Sequence, residues 1–156
     1  MHRTVAAVLL AAYAVVVARL TLADPSAGSW AFTAADRFAT AATDGRLTWE
    51  RTEVLANVAL FVPAAFLLTL VTQRAWLSAL LCLAASAGIE YVQLAYLPTR
   101  VSSGADVLHN AYGALLGAVL AWPIAALARN RSRRAAGRVD QDLGVRLGVL
   151  QGVERP

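Results

Sequence analysis

Residues 88–117, GIEYVQLAYLPTRVSSGADVLHNAYGALLG, contain five polar side chains that lie inside or between two long apolar runs. They are Glu90, Gln93, Arg100, Asp106 and Asn110. A charged side chain in hydrocarbon is unfavourable by roughly 2.5–3.5 kcal/mol on insertion scales. We therefore expect these groups to face one another, a water-filled cavity or a ligand rather than lipid.

The composition of the whole chain is typical of an integral membrane protein. Of its 156 residues, 58% are hydrophobic and 15% are charged, and the mean hydropathy is +0.55. A soluble domain is nearer half apolar and a quarter charged. The net charge is +4, but the arginines collect after the last apolar run, as membrane orientation requires. This placement argues against nucleic acid as a partner.

Four apolar runs approach or exceed the roughly 20 residues that a membrane-spanning helix needs. They cover residues 4–23, 54–72, 76–97 and 105–128. A cleaved signal peptide is the competing interpretation of the first run. The polar segment over 24–53 is predicted to be a loop at the headgroups, with at most a short surface helix over 33–43.

The arginines also predict an orientation. Arg3, Arg74 and the cluster after residue 128 fall on one side of the membrane, and the acidic segment 24–53 falls on the other. The positive-inside rule then gives an all-α protein of four transmembrane helices, with cytoplasmic N- and C-termini and an external loop between the first two helices. Residues 1–128 form the transmembrane domain, and residues 129–156 form a basic, mobile cytoplasmic tail.

Depth and helical period predict that the polar groups converge in the outer half of the membrane. At 1.5 Å per residue, Asn57 lies about 5 Å and Glu90 about 10 Å below the external surface. Glu90 and Gln93 share one helical face. The last helix has a stripe that is polar at its outer end and small below, formed by Asp106, Asn110, Gly113 and Gly117. The two glycines have the spacing of a helix-packing motif.

Two interpretations of this cluster stay open. In the first, Glu90, Arg100 and Asp106 form an ion-pair network, and the amides hold the helices together. In the second, the same groups line a pocket in which Arg100 binds an anionic group and the carboxylates bind donors or move a proton. His109 suits polar packing near Asp106. With His2 the only other histidine, we expect no metal site.

The order and spacing of these residues resemble a known family. The pattern is Asn57-x3-Phe61-x-Pro63, then Glu90-x2-Gln93-x6-Arg100-x5-Asp106-Val-Leu-x-Asn110-x2-Gly113-Ala-x2-Gly117. Over roughly residues 5–128 it is similar to the VanZ-like family of bacterial membrane proteins, whose founding member is associated with low-level resistance to the glycopeptide teicoplanin. Ser103 stands where a second acidic residue is common in that family, so the resemblance does not imply a cation site.

The resemblance implies a multi-pass protein of the bacterial plasma membrane that acts at the cell envelope. Its partners would be membrane lipids and a lipid-linked wall precursor or a glycopeptide. Two alternatives remain, a membrane-embedded enzyme acting on a lipid-linked precursor and a structural accessory subunit. The chain has no nucleophile elbow, phosphate loop or metal motif, so we expect no cofactor and assign no catalytic residue. The candidate binding residues are Asn57, Glu90, Gln93, Arg100, Asp106 and Asn110.

Overall fold

A computed structural model describes the backbone of residues 2–22, 25–43, 48–97 and 104–153, and the side chains of 3–22, 33–34, 36–43, 48–97, 104–138 and 141. Within those ranges the chain forms five helices and no strand: α1 (His2–Leu22), α2 (Pro25–Ala42), α3 (Trp49–Thr72), α4 (Ala75–Tyr96) and α5 (Gly104–Val153). Four of them contain apolar segments long enough to cross a membrane, at Arg3–Leu22, Trp49–Thr72, Ala75–Tyr96 and Gly104–Arg138. The predicted all-helical class is confirmed, and each of the four predicted spans coincides with a helix that is long and apolar enough to cross a membrane.

The segment between the first two spans is more helical than predicted. It contains α2, which extends over 18 residues from Pro25 to Ala42. From the sequence, Pro25 is expected to break the helix, but proline also suits the first position of a helix, because its missing N–H is not needed there and its φ is already set. Pro25 therefore begins a new helix here.

The last helix continues well beyond the predicted end of its span at residue 128. It is 50 residues long and includes the arginines that follow the apolar run. Residues 129–153 contain six arginines and three leucines, which have high helix propensity. They also contain four glycines, which disfavour a helix, but no proline occurs between Pro123 and Pro156 to end it. An apolar pattern is thus not needed for this segment to be helical.

The most extensive helix contact joins α3 to α5, and the two helices run parallel. A Cβ atom on Gly113 would lie 2.1 Å from the carbonyl oxygen of Val58, and one on Gly117 would lie 2.1 Å from that of Val62. Glycine is therefore required at both positions for the two backbones to approach this closely.

Around one large side chain, Phe61, the core between α3, α4 and α5 consists of small residues. They are Ala65, Cys82, Ala114 and Ala118. On α4 the buried residues recur every fourth position, at Ser78, Cys82 and Ser86. Large apolar side chains lie mostly outside, where a lipid-facing surface needs them. Lipid removes most of the hydrophobic driving force between helices, so close packing of small residues has to provide the attraction.

Long side chains from other helices bind the carbonyl groups at the end of α3. Gln73 has a left-handed backbone with φ of 58°, and its N–H donates to the carbonyl of Thr69 at 2.7 Å. Arg3 donates from Nε to the carbonyl of Val71 at 3.0 Å, and Arg129 donates from Nη1 to the carbonyl of Gln73. The last carbonyls of a helix have no partner within it, so these arginines fasten α1 and α5 to the end of α3.

Candidate functional site

The amide of Asn57 and the carboxylate of Asp106 bring the beginnings of α3 and α5 together. Asn57 Nδ2 donates to Asp106 Oδ1 at 2.7 Å, and both side chains are partly buried. The two groups lie 49 residues apart in sequence and meet because α3 and α5 start at the same end of the bundle. A hydrogen bond to an ionised acceptor is stronger than one between neutral groups.

Further ionisable groups surround Asp106. They are the carboxylates of Glu90 and Glu53 and the imidazole of His109. Nδ1 of His109 is buried and has no hydrogen-bond partner among the described residues. The beginning of α5 is therefore an acidic environment that includes one imidazole.

Asn110 lies one turn deeper and is almost completely enclosed, with 8% of its surface exposed. Its Nδ2 donates to Ser86 Oγ on α4 at 2.9 Å. Its Oδ1 is buried and has no hydrogen-bond partner in the part of the chain that the structure describes. Buried polar atoms nearly always have a partner, protein or water, so this oxygen is an acceptor that an added donor group would satisfy.

Gln93 makes its contact in another direction. Its Nε2 donates to the backbone carbonyl of Thr21 at 2.8 Å, which joins α4 to the last turn of α1. This carbonyl is one of the four at a helix end that lack an intrahelical partner. A second bond holds α1 in place, from Tyr13 Oη to the carbonyl of Leu60 at 2.8 Å.

We call the group formed by Asn57, Glu90, Gln93, Asp106 and Asn110 the polar end. The structure joins two of its members directly, Asn57 and Asp106, and gives Asn110 and Gln93 partners on α4 and α1. Glu90 lies half-buried one turn before Gln93. Arg100, the predicted anion binder, lies outside the described residues.

Two partners at this end, Ser86 and Thr21, are not predicted from the sequence. A sequence pattern could have indicated Ser86, because small residues recur at every fourth position from Ser78 to Ser86 and mark a buried face. No pattern could have indicated Thr21, because the atom that accepts the hydrogen bond is its backbone carbonyl oxygen. Within the described residues, no three His, Cys, Asp or Glu side chains are arranged to hold a metal ion.

An apolar groove of about 340 Å³ lies between α1, α3 and α4. Its lining includes Tyr13, Leu22, Phe61, Cys82 and Ile89. Leu22 and Ile89 are sequence neighbours of Thr21 and Glu90, so the groove leads from the apolar middle of the helices toward the polar end.

One comparison with known proteins gives a match. The family model described as VanZ/LLP1 matches residues 7–127, which include most of the first apolar span and nearly all of the last before its arginine-rich extension. No significantly similar curated protein and no significantly similar solved structure was found.

Proposed function

The chain belongs to the VanZ-like family, and from that premise we propose that it lies in the bacterial plasma membrane and acts at the cell envelope by binding an amphiphilic ligand at its polar end. The ligand class is a glycopeptide of the teicoplanin type or a lipid-linked wall precursor. The observation that carries the proposal is the buried Oδ1 of Asn110, an acceptor without a partner among the described residues, near the Asn57–Asp106 pair. Amide and ammonium groups of such ligands are donors of the kind that this site would bind.

The apolar groove supports an amphiphile rather than a fully polar ligand. It is adjacent in sequence to Glu90 through Ile89 and to Thr21 through Leu22. A ligand with an acyl chain would place the chain against this lining and its polar part at the polar end. Ligand sites in proteins commonly combine an apolar wall with a few polar groups that fix orientation.

The proposed orientation puts the polar end outside the cell. Arg3 and Arg129 both bind the end of α3 that is opposite to Asn57, and arginine-rich ends face the cytoplasm. In intact cells that express the protein, a tag after Pro156 should resist external protease, and a tag inserted near Gly45 should be cleaved. If only the C-terminal tag were cleaved, the protein would have the opposite orientation, and the polar end could not bind a ligand from outside the cell.

Substitution of Asp106 by asparagine tests the site. Asp106→Asn keeps an oxygen for Asn57 but removes the charge, whereas Glu50→Gln removes an exposed carboxylate from the first turn of α3 at the same end. In a teicoplanin-susceptible host, the wild-type chain and Glu50→Gln should raise the inhibitory concentration, and Asp106→Asn should not. Membrane levels of all three proteins are measured by immunoblot to exclude a difference in abundance.

A structural role is the second candidate, and one observation favours it. Three amides, those of Asn57, Gln93 and Asn110, each bond to a different helix. If the polar end only holds the bundle, Asp106→Asn retains full protection while Asn57→Leu lowers the unfolding temperature of the purified protein. That pair of results would overturn the binding proposal.

A further inference from the structure

A second candidate site lies at the opposite end of the bundle, where the turn between α3 and α4 meets α5. A cavity of about 320 Å³ opens there and is lined by Arg74, Ala75, Trp76, Val119, Trp122 and Arg129. We call this the arginine pocket. Among the described residues, its lining holds two guanidinium groups and no carboxylate.

We propose that the arginine pocket binds the phosphate of an anionic phospholipid. Arg74 is exposed, and Arg129 is half-buried with its Nη1 bonded to the carbonyl of Gln73. A guanidinium has five N–H donors, so one bond to a carbonyl fixes the side chain of Arg129 and leaves capacity for oxygen atoms of a phosphate. Planar guanidinium groups suit phosphate geometry.

The backbone adds to the same electrostatic preference. Arg74 is the N-cap residue of α4, and Ala75 begins that helix. The first N–H groups of a helix point out of its N-terminus and carry partial positive charge. An anion at Arg74 would thus meet two guanidinium groups and the positive end of a 22-residue helix.

The length of the pocket along the axis of α5 suits a lipid better than a free ion. Val119 and Arg129 are ten residues apart on α5, which corresponds to about 15 Å along the axis. Val119 is 62% exposed and Trp122 is 57% exposed, so an apolar surface continues from the arginines into the span. Trp76, 62% exposed at the beginning of α4, has the position of an interfacial aromatic residue. A phosphate would lie at the arginines and an acyl chain along Val119 and Trp122.

Charge complementarity extends beyond the pocket. Four further arginines, Arg131, Arg133, Arg134 and Arg138, are exposed on the same helix. Basic clusters of this kind attract the anionic leaflet as a diffuse charge. The arginine pocket differs because two of its groups converge on one cavity with an apolar floor, so it should hold one lipid molecule specifically.

The test is native mass spectrometry of the purified full-length chain after mixing with phosphatidylglycerol and phosphatidylcholine. The wild-type protein should retain phosphatidylglycerol preferentially. Arg74→Gln with Arg129→Gln should reduce that retention about twenty-five-fold, since each arginine at a membrane surface contributes about a factor of five. Arg74→Gln alone, which leaves the Arg129–Gln73 bond in place, should reduce it about five-fold.

The matched control removes the same charge from another face of the same helix. Arg131 and Arg138 are about 160–180° around α5 from Arg129, so Arg131→Gln with Arg138→Gln should keep the preference for phosphatidylglycerol. An equal loss in this control would show that only diffuse charge matters and would overturn the proposal. So would full displacement of the lipid by millimolar inorganic phosphate, or unchanged retention in Arg74→Gln.

Discussion

One added methyl group at the crossing of α3 and α5 is expected to destabilise the protein markedly. A Cβ atom at Gly113 would lie 2.1 Å from the carbonyl oxygen of Val58, and a Cβ at Gly117 would lie 2.1 Å from that of Val62 and 3.1 Å from the amide nitrogen of Phe66. All three neighbours are helical backbone atoms, which cannot rotate away as a flexible side chain can. Gly113→Ala or Gly117→Ala therefore forces the two helices apart.

The size of the effect follows from this distance. Ordinary van der Waals contact begins at 3.4 Å, so the carbonyl has to move by about 1.3 Å. A gap of about 0.5–1 Å already loses a quarter to a half of the dispersion attraction, and the core that packs Phe61 and Ala65 against Ala114 and Ala118 opens with it. We expect a loss near the upper end of the about 1–3 kcal/mol seen for overpacked cores. This exceeds the roughly 1 kcal/mol that alanine gains over glycine in helix propensity.

The measurement is reversible denaturant unfolding of purified variants in one detergent, followed by tryptophan fluorescence. Gly88→Ala is the matched control, because Gly88 is also inside a span but a Cβ there meets no atom within 4 Å. The control should unfold at the wild-type midpoint or above it, and Gly113→Ala should unfold well below it. Equal midpoints for Gly113→Ala and Gly88→Ala would refute the close-approach argument.

Two further variants test the contacts at the polar end. Ser86→Ala removes the acceptor of the Asn110 amide and should lower the free energy of unfolding by about 1–3 kcal/mol in the same titration, because a buried donor is left unsatisfied; a change below the error of the fit contradicts this. Gln93→Leu removes the donor to the Thr21 carbonyl and should lower it by only about 0.6 kcal/mol, the average for such bonds between membrane helices, while amide exchange at the end of α1 becomes faster; unchanged exchange there contradicts the capping role.

The sequence predicts the four spans well because their signal is local. Length and hydropathy suffice for α1, α3, α4 and the first part of α5, since lipid requires every backbone group to be bonded within the helix. The same approach finds only the second half of α2, as the short helix predicted over 33–43, and misses its first turns and the extension of α5, because these segments lack a long apolar run. Pro25 has two opposite meanings, a turn or the first residue of a helix, and the choice between them depends on the helix-forming tendency of the next several turns.

The candidate site is predictable as a set of residues but not as a set of bonds. Helical period gives the face of each polar group, and hydropathy gives its depth, so the shared end of Asn57 and Asp106 can be predicted from the sequence. The order of helices around the bundle cannot, and it decides that Gln93 turns toward α1 while Asn110 turns toward α4. Polar residues that lie at a similar depth therefore bond to different helices.

The arginines also have a role that can be predicted from the sequence and a set of contacts that cannot. Positive charge at one end of the spans predicts membrane orientation, but Arg3 and Arg129 also donate to the carbonyls of Val71 and Gln73. These carbonyls lie at the end of α3, and a donor from a neighbouring helix both satisfies them and fixes the bundle. Lysine would supply the charge equally well, but its compact ammonium lacks the planar fork that can bind a carbonyl with one N–H and present others to a phosphate. The chain contains fourteen arginines and no lysine. Arginine at these positions suits both the binding of a helix-end carbonyl and the proposed binding of a phosphate.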